Sequence, residues 1–100
     1  MNLPGNSPVK RVHVIIGGHV QGVGFRYFVK ESAESLHLTG WVRNMANGNV
    51  ELLAEGDQET LQTFINRVRQ GNAMSYVSDV EIDWLPAGQQ HHKFMIAPSE

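Results

Sequence analysis

Between Arg11 and Gly17 the apolar residues alternate: Val12, Val14 and Ile16 share one face, His13 and Ile15 the other, which predicts a β-strand. The next segment, Gly18-His19-Val20-Gln21-Gly22-Val23-Gly24, breaks the alternation with three glycines and predicts a loop whose backbone turns tightly or approaches something closely. The period then becomes helical from about Phe25 to Leu36, with Phe25, Phe28, Val29, Ser32, Ala33 and Leu36 on one side and Lys30, Glu31 and Glu34 elsewhere. Thr39 to Met45 and Val50 to Glu55 read as strands joined by the turn Ala46-Asn47-Gly48-Asn49, a β-hairpin. A second helix follows, with Asp57 as N-cap, Leu61, Phe64, Ile65 and Val68 as its buried stripe, and Gly71 as its end. Tyr76 to Leu85 alternates Val80, Ile82 and Trp84 against Asp79, Glu81 and Asp83; after a turn-rich connector, Lys93 to Ala97 adds a short last strand.

The order β-α-β-β-α-β with a short additional C-terminal strand predicts an α/β sandwich: one mixed, mostly antiparallel sheet with two helices on one face and right-handed crossovers. At 100 residues there is room for one domain, expected over residues 9–100, and residues 1–8, with two Pro, one Gly, two Asn and one Ser, are expected to be a flexible tail. Eight Lys plus Arg against ten Asp plus Glu give a net charge of −2, which gives no support to a broad basic face for nucleic acid. The absence of cysteine excludes disulfides, thiolate nucleophiles and thiolate-held zinc or iron–sulfur centres. No stretch approaches the roughly 18 to 20 apolar residues of a membrane span, and Met1–Pro8 has neither the basic start nor the apolar core of a signal peptide. The expectation is a soluble, cytoplasmic monomer.

Candidate chemistry centres on Gly17 to Arg26. Glycines between a strand and a helix let backbone N–H groups converge, the helix start favours negative charge, and Arg26 in the first turn adds a guanidinium able to grip two phosphate oxygens. Gly-rich strand–helix turns with a solvent-facing arginine are also structurally common, so the pattern alone leaves a plain structural turn open. It is not a nucleotide P-loop, which needs Gly-Lys-Ser/Thr, nor a dinucleotide fingerprint, since Tyr27 stands where glycine is required. Asn44 shares a face with Val42 and Gly40; its amide can both donate to and accept from a small ligand such as water, or merely satisfy the hairpin turn. It lies near the loop-to-helix junction if the hairpin runs beside the first strand. The five histidines show no His-Glu-x-x-His spacing, so surface or capping roles and no metal are expected. Trp41 and Trp84 lack the companion aromatics on the central strands that an RNA-stacking sheet requires.

Two ordered motifs carry a family resemblance. Gly18-His19-Val20-Gln21-Gly22-Val23-Gly24-Phe25-Arg26 and Gly40-Trp41-Val42-Arg43-Asn44-Met45-Ala46-Asn47-Gly48-Asn49-Val50-Glu51, followed by Glu55-Gly56, resemble the signatures of the acylphosphatases, over roughly Val12 to Ile96. The resemblance implies a ferredoxin-like fold, an acyl phosphate as small-molecule substrate and no cofactor. It also implies a phosphate held by Arg26 and the backbone amides of His19, Val20, Gln21, Gly22, Val23, Gly24 and Phe25, with Asn44 orienting the attacking water. The alternative is a non-catalytic regulatory module that binds phosphate or carbamoyl phosphate in the same pocket. The chain departs from the family pattern at His19, where Arg or Lys is usual, at Asn47, a common Asp, and at Asn72, where Pro is frequent. Neither Asn47 nor Asn72 is expected to touch the chemistry, whereas His19 in place of a base is expected to weaken the positive field near the loop.

Overall fold

The computed structural model describes residues 7–100, so the tail expected over residues 1–8 lies outside the described residues except for Ser7 and Pro8. The elements are β1 (Val9–His19), α1 (Phe25–Ser35), β2 (Thr39–Asn44), β3 (Val50–Asp57), α2 (Gln58–Gln70), β4 (Tyr76–Pro86) and β5 (Phe94–Ile96). They form one sheet in the order β4-β1-β3-β2-β5, in which every neighbouring pair is antiparallel except β2 with β5. β1 and β2 therefore run in the same direction with β3 between them, and β3 and β4 likewise with β1 between them. Two β-α-β units are interleaved, the ferredoxin-like sandwich. Among the described residues no helix is long and apolar enough to cross a membrane.

Alternation decides what lies under the helices. Val12, Val14, Ile16, Val42, Val50, Leu52 and Ala54 face inward and are buried with Phe25, Val29 and Ala33 of α1 and Leu61, Phe64, Ile65 and Val68 of α2. Phe94 closes this core from β5, its ring edge-on to Phe64 at 6.2 Å. The caps act as their sequence implies: Asp57 Oδ2 accepts from the Thr60 N–H (3.3 Å) and hydroxyl (3.0 Å), and Gly71, at φ 71°, ends α2.

β1 is longer than the alternation predicts, by two residues at each end. At the far end the register with β4 shifts between Gly17 and Gly18, a β-bulge that lets the strand continue through Gly18 to His19, which pairs with Tyr76. Gly18 sits at φ 124°, and a Cβ there would overlap the Tyr76 carbonyl oxygen, so only glycine permits this edge to close. His19, expected in the loop, is the last residue of the strand.

The helix-free face carries an ionic cluster. Glu51 on β3 lies between His13, whose Nε2 is 2.6 Å from Oε2, and Arg43, whose Nε donates to Oε1 at 2.7 Å; the Arg43 guanidinium in turn lies over Trp41 at 5.5 Å. Burial pushes the Glu51 carboxyl up, but the hydrogen bonds from His13 and Arg43 and their charges outweigh it, and the net effect is a pKa below the ordinary 4.5. A folded-state pKa below the unfolded one stabilises the fold above the unfolded pKa, and that contribution vanishes as pH falls through the folded pKa. Glu51→Gln is therefore expected to lower the melting temperature near about pH 7, with the difference from the wild type shrinking as pH falls below the ordinary carboxyl range, which thermal melts across pH will check.

Candidate functional site

The polypeptide leaving β1 is anchored before it turns. Val20 and Phe25 are both buried in the core, so residues 21–24 form a short arch between two fixed points. Gly22 and Gly24 both take φ 75°, the left-handed region that glycine enters without a Cβ penalty. Gly24 is also the N-cap of α1 and has no side chain with which to cap it, and the first turn contains no acidic residue. The first helical hydrogen bond runs from Phe28 N–H to Gly24 O at 3.0 Å, so the N–H groups ahead of it have no intrahelical acceptor.

Arg26 projects from this turn, and among the described residues no carboxylate stands within ion-pair distance of it. Its charge adds to the positive end of the helix, an arrangement that costs about 0.3 to 1 kcal/mol unless an anion is bound. A cavity of about 180 Å³ opens here, lined by Val20, Gly22, Gly24, Phe25, Arg26, Tyr27 and Ile96. Backbone donors, a helix N-terminus and a guanidinium around one small concavity form a site suited to a compact anion. A larger groove of about 360 Å³ lies over Lys10, Gln58, Trp84, Leu85 and Pro86, at the opposite end of β1 from the glycine arch.

The structure sorts the residues singled out from the sequence. Val20, Gly22, Gly24, Phe25 and Arg26 line the cavity. His19 is not among them: it is exposed at the end of β1, where it pairs with Tyr76. Val23 packs partly against the core. Gln21 turns its amide away to the hairpin, where Nε2 donates to Met45 O and Asn49 O, both at 2.8 Å. That pair of hydrogen bonds to the two ends of the turn ties the arch to the end of β2, one residue beyond Asn44.

Asn44 itself is not among the cavity-lining residues. It ends β2 opposite Val50, which pairs in turn with Ile16, so it stands at the end of the sheet where β1 gives way to the arch, with β3 rather than β2 beside β1. It lies on the helix-covered face with Val42, and its backbone carbonyl accepts from Glu100 N–H at 3.0 Å. The Asn44 Oδ1 is buried and has no hydrogen-bond partner among the described residues. Such an acceptor costs about 1 to 3 kcal/mol when left unmet.

Two lining residues, and one contact behind the arch, were not identified from the sequence. Tyr27, exposed and off the apolar stripe of α1, signalled itself only as an aromatic with nothing to pack on. Ile96 reaches the cavity because β5 lies parallel to β2, with Ile96 opposite Val42, a pairing that no local pattern encodes. Asn72, expected to lie apart from the chemistry, is not among the cavity-lining residues, but its Nδ2 donates to the Val23 carbonyl of the arch at 2.9 Å. Among the described residues no three His, Asp or Glu gather closely enough to hold a metal ion.

Known proteins resemble this chain in sequence and in fold. The sequence profile of the acylphosphatase family matches residues 12–96. An acylphosphatase of Bacillus subtilis is 44% identical over 86 residues, covering 86% of this chain and 94% of its own. The crystal structure of acylphosphatase from Bacillus subtilis superposes with a TM-score of 0.85 at 42% identity, covering 88% of this chain and 98% of that one. A full-length HypF in its phosphate- and nucleotide-bound form matches at a TM-score of 0.83 and 26% identity, over 91% of this chain but 12% of that one.

Proposed function

Because the chain belongs to the acylphosphatase family, we propose that it hydrolyses the carboxyl–phosphate bond of acyl phosphates by direct attack of water on phosphorus, releasing a carboxylate and inorganic phosphate. The chain is a hydrolase of that family. The observation that carries the residue assignments is the cavity at the uncapped start of α1, where Gly22, Gly24 and Phe25 meet Arg26.

The leaving group is already a carboxylate, so the reaction asks little acid catalysis at the leaving oxygen. It asks for stabilisation of charge on the phosphoryl oxygens and for a placed water. Arg26 and the arch amides supply the first. Asn44 supplies the second: Oδ1, buried without a partner among the described residues, accepts a hydrogen bond from the attacking water. An amide has no useful basicity, so the water proton passes to a phosphoryl oxygen as the phosphorus–carboxylate bond breaks and its electron pair leaves with the carboxylate. No side chain is phosphorylated, and no metal or cofactor takes part. The proposed site needs no residue from a second copy, and a monomer is the proposed state.

The test is turnover of benzoyl phosphate in the presence of a chelator. Full activity with chelator and no trapped phosphoenzyme is expected; loss of activity on chelation overturns the mechanism. A second reading, a module that binds phosphate without hydrolysing it, draws on the position of Asn44 outside the cavity lining. Tight binding of inorganic phosphate with no turnover of benzoyl phosphate would favour it.

A further inference from the structure

The turn from α2 to β4 closes without help from the Asn72 side chain. Asn72 N–H donates to Ser75 Oγ (3.0 Å), while Ser75 N–H (3.2 Å) and Oγ (3.1 Å) donate back to Asn72 O. The carboxamide is thus free to reach a segment 49 residues away in sequence, and Nδ2 donates to Val23 O. A Cβ built on Gly24 would stand 3.8 Å from the same Nδ2, so the amide lies against the arch at the Val23–Gly24 peptide, while Asn72 takes no part in lining the cavity. Its Oδ1 is buried with no partner among the described residues, so the local turn gains nothing from that atom.

We propose that Asn72 is a positioning residue that locks the orientation of the Val23–Gly24 peptide in the anion-binding arch; this rests on the phosphate-site reading above. In a trans peptide the C=O and N–H point in opposite directions. Holding the Val23 carbonyl on the Asn72 side therefore turns the Gly24 N–H to the other side, where the cavity lies. A flip of this peptide changes ψ of Val23 and φ of Gly24, and a glycine at φ 75° offers little steric resistance to it. The flipped form would aim a carbonyl oxygen at the anion in place of a donor. Asn72 removes that freedom before substrate arrives. A proline at 72 has no side-chain donor, so this brace follows from the residue in which the chain departs from the family pattern.

The experiment is a titration of the nitrogen-15-labelled protein with inorganic phosphate. In the wild type the Gly24 amide signal is expected to move on binding together with those of Gly22 to Arg26. In Asn72→Ala the Gly24 response is expected to shrink and the phosphate Kd to rise about fivefold to tenfold, the equivalent of one hydrogen bond. Asn72→Asp keeps the shape, loses the donor and is expected to weaken binding further; it carries the measurement if the alanine variant does not fold. A folded variant with an unchanged Gly24 response and a Kd within about twofold of wild type overturns the proposal and leaves the phosphate site standing. A wild type in which phosphate moves no amide of the arch overturns the phosphate site, and the proposal with it.

Discussion

Arg26→Ala is expected to lower kcat/KM for an acyl phosphate by at least about 10³-fold, some 4 kcal/mol of transition-state stabilisation. The magnitude follows from the role: among the described residues no carboxylate pairs with this guanidinium, so in the proposed mechanism its charge is directed to the phosphoryl oxygens. The same reasoning fixes the effect on folding. A cation in the first turn opposes the helix dipole, and its removal is expected to leave the melting temperature unchanged or slightly raised, a gain of up to about 1 kcal/mol. Arg26→Lys keeps the charge and loses the planar fork, so it is expected to recover only part of the activity. Initial-rate kinetics and thermal melts on the three proteins check this. A fall of less than about tenfold in Arg26→Ala with an intact fold would remove Arg26 from the mechanism.

How much of this was legible in the chain depends on how local the physics is. The β2–β3 hairpin declared itself because Asn47, Gly48 and Asn49 satisfy their turn internally; Asn47 Oδ1 accepts from Asn49 N–H at 3.0 Å. The same holds for α2, whose Asp57 cap and terminal Gly71 lie within its own few residues. The glycines of the arch and Arg26 were legible for the same reason: one short segment carries the strand end, the left-handed turns and the helix start. The misplacement of His19 came from a non-local cause, the bulge at Gly17 and Gly18, which depends on β4 pairing with β1 from some 60 residues away. Ile96 and Asn72 belong to the same class. Ile96 reaches the cavity and Asn72 the back of the arch through long-range contacts, and Asn72 showed in the sequence only as a departure from a family pattern.

Asn44→Ala is expected to separate binding from chemistry. With Arg26 and the arch intact, KM for benzoyl phosphate and the affinity for inorganic phosphate should change little, while kcat falls by about 10²-fold or more, the range for losing a placed water or a single polar contact made in the transition state. The fold should not suffer in proportion. Asn44 Oδ1 is buried without a partner among the described residues, so truncation removes an unmet acceptor rather than a hydrogen bond, and the melting temperature is expected to hold or rise. The β2 backbone also keeps its ties through Val50 on one side and Glu100 N–H on the other. Asn44→Asp sharpens the test, because a carboxylate is a better base but places a negative charge beside the phosphoryl group. If water positioning is the role, the aspartate variant stays slow and binds phosphate more weakly; if a base were wanted there, it would outperform the alanine and gain rate as pH rises past the carboxylate pKa. A KM that rises in step with a constant kcat in Asn44→Ala would reassign the residue to holding phosphate, and the attacking water would need another partner.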